Sequence, residues 1–332
     1  MGGEGSHCFH YSTAARSGFT HSAFGSSCYH DPMNRRDFLV SATAGAAILG
    51  ADRSASAASR PGDFSFVHFT DLHIQPELHA ADGCAKCISK MNAVKPDFAI
   101  CGGDLVFDAA EVQYPRAKQL FDLYEETMKP FHMPVHAIPG NHDVLGISST
   151  SGVPQSDPHY GKRMFEDRIG ATFSSFDYKG WHFVLLDSIG AKPGRDYIGL
   201  IDGAQLDWMR ADLARMKPGT PLVVITHIPL VSAVLQTVAD PWKTAETYLV
   251  TNARDVLEVL WPYRPKMVLQ GHTHIRESVI YNGCQFVTSG AVCGNWWKGP
   301  REGHPEGFGV LTVRGEKVDW RYETYGFVAD PS

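Results

Sequence analysis

Phe64-Ser65-Phe66-Val67-His68-Phe69-Thr70-Asp71-Leu72-His73 is a short apolar run that ends abruptly in a carboxylate and an imidazole. The pattern returns four times. Residues 97–101 lead into Gly102-Gly103-Asp104, residues 134–139 into Gly140-Asn141-His142-Asp143, residues 222–225 into Thr226-His227, and residues 267–270 into Gly271-His272-Thr273-His274. The runs are rich in Val, Ile and Phe and bounded by Gly, Pro or Asp, which suits strands buried on both faces better than helices. In an open α/β sheet, ligands gather outside the carboxyl ends of the strands, so these ends predict one crevice. Ends that carry His, Asp and Asn make it a metal site. The glycines beside the polar residues remove Cβ bulk where the chain passes close to an ion.

Outward from these ends, the spacing predicts helices over 82–94 and 113–129. Asp202-Gly203-Ala204-Gln205 reads as a capping box for a helix whose core face includes Leu206, Met209, Leu213 and Met216. Residues 172–178 and 181–187, joined by Lys179-Gly180, predict a β-hairpin, as do 309–314 and 317–323, joined by Gly315-Glu316. Parallel strands with crossover helices plus antiparallel hairpins predict two packed sheets with helices outside. One domain is expected within residues 59–332, without linker or repeat.

The ordered set D-x-H, G-G-D, G-N-H-D, a lone His after a strand and G-H-x-H resembles the calcineurin-like metallophosphoesterase superfamily over residues 63–325. Its layout is closest to the branch of cyclic-nucleotide phosphodiesterases. The resemblance implies an α/β fold, a four-layer αββα sandwich of two mixed β-sheets with a dinuclear metal site at the strand carboxyl ends. It implies that Asp71, His73 and His274 hold the first metal, that Asn141, His227 and His272 hold the second, and that Asp104 bridges them. Imidazole, carboxylate and amide ligands favour Fe, Mn or Zn over Ca or Mg. Two such ions about 3.5–4 Å apart lower the pKa of a bound water towards neutrality and clamp the phosphoryl oxygens for in-line displacement by a bridging hydroxide. His142, next to a ligand, is expected to stabilise phosphoryl charge or protonate the leaving oxygen.

Two departures narrow the branch. Three residues after the bridging Asp, purple acid phosphatases carry a Tyr ligand and phosphoprotein phosphatases an Asp that orients the catalytic His, whereas this chain has Phe107. Asp108 falls one position too late for that orienting role. Specificity is expected from the long connections 144–160 and 228–248. Gly294-Asn295-Trp296-Trp297, followed by Arg301 and His304, reads either as an aromatic and basic substrate wall or, for the two indoles, as closure of the core.

A chain of 332 residues with 43% hydrophobic and 20% charged residues has ample material for a core. A net charge of -6 offers no electrostatic footprint for nucleic acid or an anionic membrane. Asn34-Arg35-Arg36-Asp37-Phe38-Leu39, an apolar stretch to Gly50, and Ser54-Ala55-Ser56-Ala57 resemble a twin-arginine export signal over residues 33–58. The apolar stretch falls short of the roughly 20 residues that span a bilayer, so no stable membrane anchor is expected. The expected partners are therefore the twin-arginine export machinery and a small phosphate-ester substrate, in a periplasmic or secreted setting. Residues 1–32 read as an extension, with Met33 as the start. Seven cysteines, two of them ahead of the signal, leave an odd set that makes no disulfide framework, and Cys84 and Cys87 share a helical face that suits packing. A metallo-β-lactamase-like hydrolase is disfavoured because its H-x-H-x-D-H cluster is absent. A non-catalytic metal-binding scaffold on the same fold is the alternative function, disfavoured because every expected ligand position and His142 are kept.

Overall fold

The computed structural model describes residues 62–237 and 241–330, without the side chains of 241–244. The export signal and the extension read at residues 1–58 lie outside the described residues. In chain order the strands begin with β1 (Phe64–Phe69), β2 (Phe98–Cys101), β3 (Val135–Ala137), β4 (Ser174–Tyr178), β5 (Trp181–Leu186), β6 (Ile189–Lys192) and β7 (Asp196–Gly199). They continue with β8 (Leu222–Thr226), β9 (Met267–Gln270), β10 (Arg276–Tyr281), β11 (Cys284–Ser289), β12 (Gly307–Arg314) and β13 (Lys317–Thr324). The helices are α1 (Ala80–Val94), α2 (Tyr114–Met128), α3 (Arg163–Arg168), α4 (Gly203–Leu213), α5 (Pro241–Tyr248) and α6 (Ala253–Leu260).

Two mixed sheets carry the fold. One has the order β13-β12-β1-β2-β3, the other β10-β11-β9-β8-β5-β4. In the first, β1, β2 and β3 run parallel, with Phe69 level with Cys101 and Cys101 level with Ala137. In the second, β5, β8 and β9 run parallel. Each sheet thus delivers its parallel carboxyl ends, and the polar residues that follow them, at one level.

Side-chain alternation separates the layers. Phe64 and Phe66 of β1 pack with Phe98, Phe183, Ile225 and Leu269 between the sheets. Val67 and Phe69, from the opposite face of β1, pack with Ile88 and Met91 of α1 and Leu120 and Phe121 of α2. On the far side, Val184, Val224 and Val268 pack against Leu206, Met209 and Leu213 of α4 and Val256 and Leu260 of α6. Helix, sheet, sheet and helix layers follow, because each buried strand needs an apolar partner on both faces.

Most of the predicted boundaries shift by one to three residues, and the hairpin at Lys179-Gly180 forms with both residues at positive φ, 44° and 84°, the geometry of a tight two-residue hairpin turn. The capping box forms only by half. Asp202 accepts the Gln205 N–H at 2.8 Å, but the Gln205 amide turns away to satisfy both backbone groups of Asp187 at 2.8 Å each. Those groups follow directly on β5 and are buried, so leaving them unpaired would cost more than the missing half of a cap. The ribbon β6–β7 and the pair β10–β11 were not read from the sequence; Pro193-Gly194-Arg195-Asp196 was the turn signal for the ribbon.

Cys84, Cys87, Cys101, Cys284 and Cys293 are free and buried. Burial pushes the Cys84 and Cys87 thiols well above their usual range, and both pack in the core under the first sheet. No helix among the described residues is long and apolar enough to cross a membrane.

Candidate metal centre

The loops after the strands are tied to each other before any side chain is considered. The Asp71 N–H donates to Gly103 O, and the Leu72 and His73 N–H groups donate to Asp104 O. Gly271 N–H reaches His227 O, and Cys293 N–H reaches Asp71 O. Asp71, His73, Asp104, His272 and His274 all adopt positive φ, between 43° and 72°. Left-handed backbone in non-glycine residues is unfavourable and is kept where the surroundings enforce it, commonly at functional sites. The glycines serve approach: a Cβ on Gly140 would lie 2.1 Å from Asp104 Oδ1, and one on Gly271 would lie 2.3 Å from Thr70 Oγ1.

All seven predicted ligands converge. Asp104 Oδ2 stands 3.4 Å from His73 Nε2 and 3.2 Å from His227 Nε2, so its carboxylate lies between two groups of donors. On one side, His73 Nε2 is 3.1 Å from His274 Nε2, which is 3.3 Å from Asp71 Oδ1. On the other, ligand atoms of Asp104, His227 and His272 lie within 4.8 Å of one another. Every one of the seven is nearly or wholly buried except His272, which is partly so.

The donor atoms point the way a metal requires. His227 Nδ1 hydrogen-bonds Gly102 O at 2.8 Å, His274 Nδ1 hydrogen-bonds Gly294 O at 2.7 Å, and His73 Nδ1 lies 3.3 Å from Phe107 O. A carbonyl holding the N–H on Nδ1 leaves the Nε2 lone pair for a cation. Asn141 Oδ1, His227 Nε2 and His272 Nδ1 are buried without a hydrogen-bond partner. Orphaned buried acceptors are costly, and cations between them remove the cost. The residues present fit a two-cation site.

The titrations divide: against burial, Asp104 holds His227 up at about 9, and Cys293 and Asp71 hold His274 well above its ordinary value, so each of these rings would give up a proton when a cation takes its Nε2 lone pair. Burial works against the charge on Asp71, but His274 outweighs it and holds the carboxyl at about 2. Asp104 is likewise kept ionised, well below the usual carboxylate range, by His227, His142 and His73 against the effect of burial. Burial, aided by the charge of His227, pushes His272 down to about 3, leaving a neutral ring that can ligate.

His142 is partly exposed in the same pocket and is not tied up by the protein. Its backbone N–H donates to Asp104 Oδ1 at 2.9 Å. Its Nδ1 has no hydrogen-bond partner; Asp108 Oδ1 stands 3.6 Å away, beside the imidazole at ion-pair distance but beyond hydrogen-bond reach. The turn after Asp104 places it there: Phe107 N–H bonds Ile74 O, and Ala109 N–H bonds His142 O at 2.7 Å, which brings Asp108 round to the imidazole. Burial disfavours a charged His142, but Asp104 and Asp108 outweigh it and hold the ring above its ordinary value. Asp143, the last residue of G-N-H-D, faces away from the pocket chemistry. It accepts from the N–H groups of Leu105, Val106 and Gly140, fastening the Asn141 loop to the Asp104 loop.

The predicted substrate wall divides. Trp296 lines the pocket, its ring centroid 3.9 Å from that of His73 and 5.0 Å from that of His142. Trp297 belongs to the core: it is 1% exposed, and its indole N–H bridges the carbonyls of Leu72 and His73 at 3.0 Å each. A Cβ on Gly83 of α1 would lie 2.2 Å from the Trp297 ring, so that glycine makes room for the indole. Arg301 lines the pocket, whereas His304 does not, its Nδ1 accepting the Arg276 N–H at 3.3 Å. Sequence reasoning missed Tyr197, from β7, and did not single out Tyr248, the last residue of α5; both enter the pocket and stand edge-on to His272 at 6.2 and 5.7 Å.

Comparison with known proteins follows the same line. The sequence profile of the calcineurin-like phosphoesterases matches residues 64–276. The 3′,5′-cyclic adenosine monophosphate phosphodiesterase CpdA of Haemophilus influenzae is 28% identical over 202 residues, 59% of this chain and 61% of that protein. A probable cyclic nucleotide phosphodiesterase of Rhodococcus erythropolis is 26% identical over 248 residues, 70% of this chain and 72% of that protein. The match therefore spans about three fifths of the Haemophilus relative. Among solved structures, a dimetal phosphatase from Danio rerio superposes with a TM-score of 0.58 at 16% identity, over 80% of this chain and 97% of that one. A yellow lupin purple acid phosphatase gives 0.55 at 15% identity, over 80% and 52%. At these identities the likeness shows the fold alone. The profile covers more than half of the sequence, the donor geometry suits the dinuclear chemistry of that group, and the chain belongs to the calcineurin-like phosphoesterase family.

Proposed function

We propose that this protein is a dinuclear-metal phosphodiesterase of small phosphate esters that works outside the cytoplasm. The observation that carries the hydrolytic reading is the Asp104 carboxylate set between His73 and His227, with the orphaned acceptors of Asn141 and His272 beside it. Asp71, His73 and His274 would hold one transition-metal ion and Asn141, His227 and His272 a second, with Asp104 between, and ions bound there would supply an acidified water and a clamp for the phosphoryl oxygens. The chain's own part is orientation and proton handling. Asp104 and the backbone bonds between the loops fix the donors, and Asp108 favours the charged form of the His142 ring. His142 then delivers a proton to the departing ester oxygen.

The diester preference is supported by the likeness to the Haemophilus cyclic AMP phosphodiesterase and the probable cyclic nucleotide phosphodiesterase of Rhodococcus, and by Phe107, which supplies neither a Tyr ligand nor an orienting Asp. It is tested with an aryl phosphodiester and the matching monoester on the metal-loaded protein. The diester is expected to turn over faster, and Asn141→Ala is expected to abolish that turnover; monoester hydrolysis alone would make the protein a phosphatase. The extracytoplasmic setting is supported by the paired arginines of the N-terminal motif. Replacing Arg35 and Arg36 by lysine is expected to hold the protein in the cytoplasmic fraction, and undiminished export would remove this part of the proposal.

A further inference from the structure

Arg301 is the one arginine among the residues lining the pocket, and it is only partly committed. Its Nη1 donates to Asn295 Oδ1 at 3.2 Å. Its Nε is buried without a hydrogen-bond partner, the nearest carboxylate oxygen, Glu302 Oε1, standing 3.8 Å away and beyond hydrogen-bond reach. The edge of a guanidinium formed by Nε and the second amino group is the edge that takes a carboxylate or phosphate through two parallel bonds. A buried N–H with no acceptor is unfavourable until an anion arrives.

The segment that carries this edge is fixed. Arg301 and His304 exchange backbone hydrogen bonds at 3.0 and 2.8 Å, Asn295 N–H bonds Gly299 O at 2.8 Å, and Trp297 is anchored to the Asp71–His73 loop by its indole. Arg301 makes no hydrogen bond or ion pair with any of the seven candidate ligands among the described residues. The reacting phosphoryl group belongs with those ligands and His142, so the guanidinium is left for something else. The aromatic residues frame the space between: Trp296 packs on the His73 and His274 side, while Tyr197 and Tyr248 flank His272 on the other.

We propose that Arg301 binds a second anionic group of the substrate, one that is not cleaved, so that the preferred substrate is a phosphodiester of a planar or nucleoside alcohol carrying a further phosphate or carboxylate. This rests on the phosphodiesterase reading. A cyclic mononucleotide, with one phosphate only, leaves the Arg301 edge unused and is a poorer fit.

The test uses two matched probe pairs on the metal-loaded protein. One pair is the p-nitrophenyl ester of thymidine 5′-phosphate with and without a 3′-phosphate, both cleaved at the same bond. The other is thymidine 5′-phosphate against thymidine 3′,5′-bisphosphate, read as binding by calorimetry. The doubly anionic member is expected to bind about tenfold tighter or better and to show a correspondingly lower KM, given the strength of a bidentate arginine contact. Arg301→Gln is expected to erase the difference between members of each pair, and Arg301→Lys to restore part of it. Equal affinities in the wild type, a difference that survives Arg301→Gln, or an equal loss on both members would overturn the proposal, the last by placing Arg301 on the reacting phosphoryl group. Preserved bisphosphate selectivity in a protein that cleaves neither ester would sink the phosphodiesterase reading and leave the anion site standing.

Discussion

Asp104→Asn is expected to lower phosphoester turnover by about a thousandfold or more, equivalent to roughly 4 kcal/mol of lost transition-state stabilisation, and to reduce the bound metal below two per chain. The carboxylate is nearly isosteric with the amide, so packing alone predicts little change. Charge and donor geometry predict a large one. Oδ1 accepts the His142 N–H at 2.9 Å, which fixes the amide oxygen of the replacement on that side. The NH₂ group then takes the place of Oδ2, between His73 Nε2 at 3.4 Å and His227 Nε2 at 3.2 Å, where a cation requires an acceptor. The site loses a negative charge shared by both ions and gains two hydrogens pointed at them. Elemental analysis beside steady-state kinetics checks this. Full metal content with turnover near wild type would show that Asp104 is not shared between the ions.

His142→Ala is the second large effect, about a hundredfold to ten-thousandfold in kcat for an ester with an alkyl leaving group, the range for loss of a positioned general acid. With p-nitrophenolate as leaving group the loss is expected to shrink, since that anion departs without a proton. Metal content should hold, because the contact between His142 and Asp104 runs through the backbone N–H, which alanine retains. His142, His73 and Asp104 do lie close enough to ligate together, so a variant that loses metal as well as activity would make His142 a ligand instead.

The sequence made the centre legible because every ligand but Asn141 follows a strand buried on both faces; Asn141 follows β3, a half-buried edge strand. Strands buried on both faces read as continuous apolar runs, and β1, β2, β8 and β9 are buried at almost every position. Parallel pairing then brings their ends together without any side-chain detail. The features that stayed hidden depend on how the chain turns after those ends. Asp108 looked too late to stand beside His142 because counting from Asp104 assumes regular geometry, whereas Asp104 sits at φ 52° and the Ala109–His142 backbone bond redirects the segment.

Two adjacent indoles looked equivalent, yet Trp297 is buried where Gly83 leaves a gap and carbonyls await its N–H, while Trp296 lies over His73. Tyr197 was invisible for another reason. It arrives from a two-stranded ribbon whose four-residue strands, Ile189–Lys192 and Asp196–Gly199, are too short to show periodicity. Arg195 staples the tip of that ribbon to the 144–160 connection through Gly146 O and Val153 O, a tertiary bond that no local pattern announces.

The central claim is that one shared centre of two ions, held by seven named residues, runs the hydrolysis. The most direct measurement removes metal with a chelator, restores Mn, Fe or Zn in known equivalents, and follows hydrolysis of an aryl phosphodiester together with bound metal. The account predicts no turnover in the stripped protein and a maximum reached at two equivalents per chain. Turnover that survives complete stripping, or that is already maximal at a single equivalent, would contradict it.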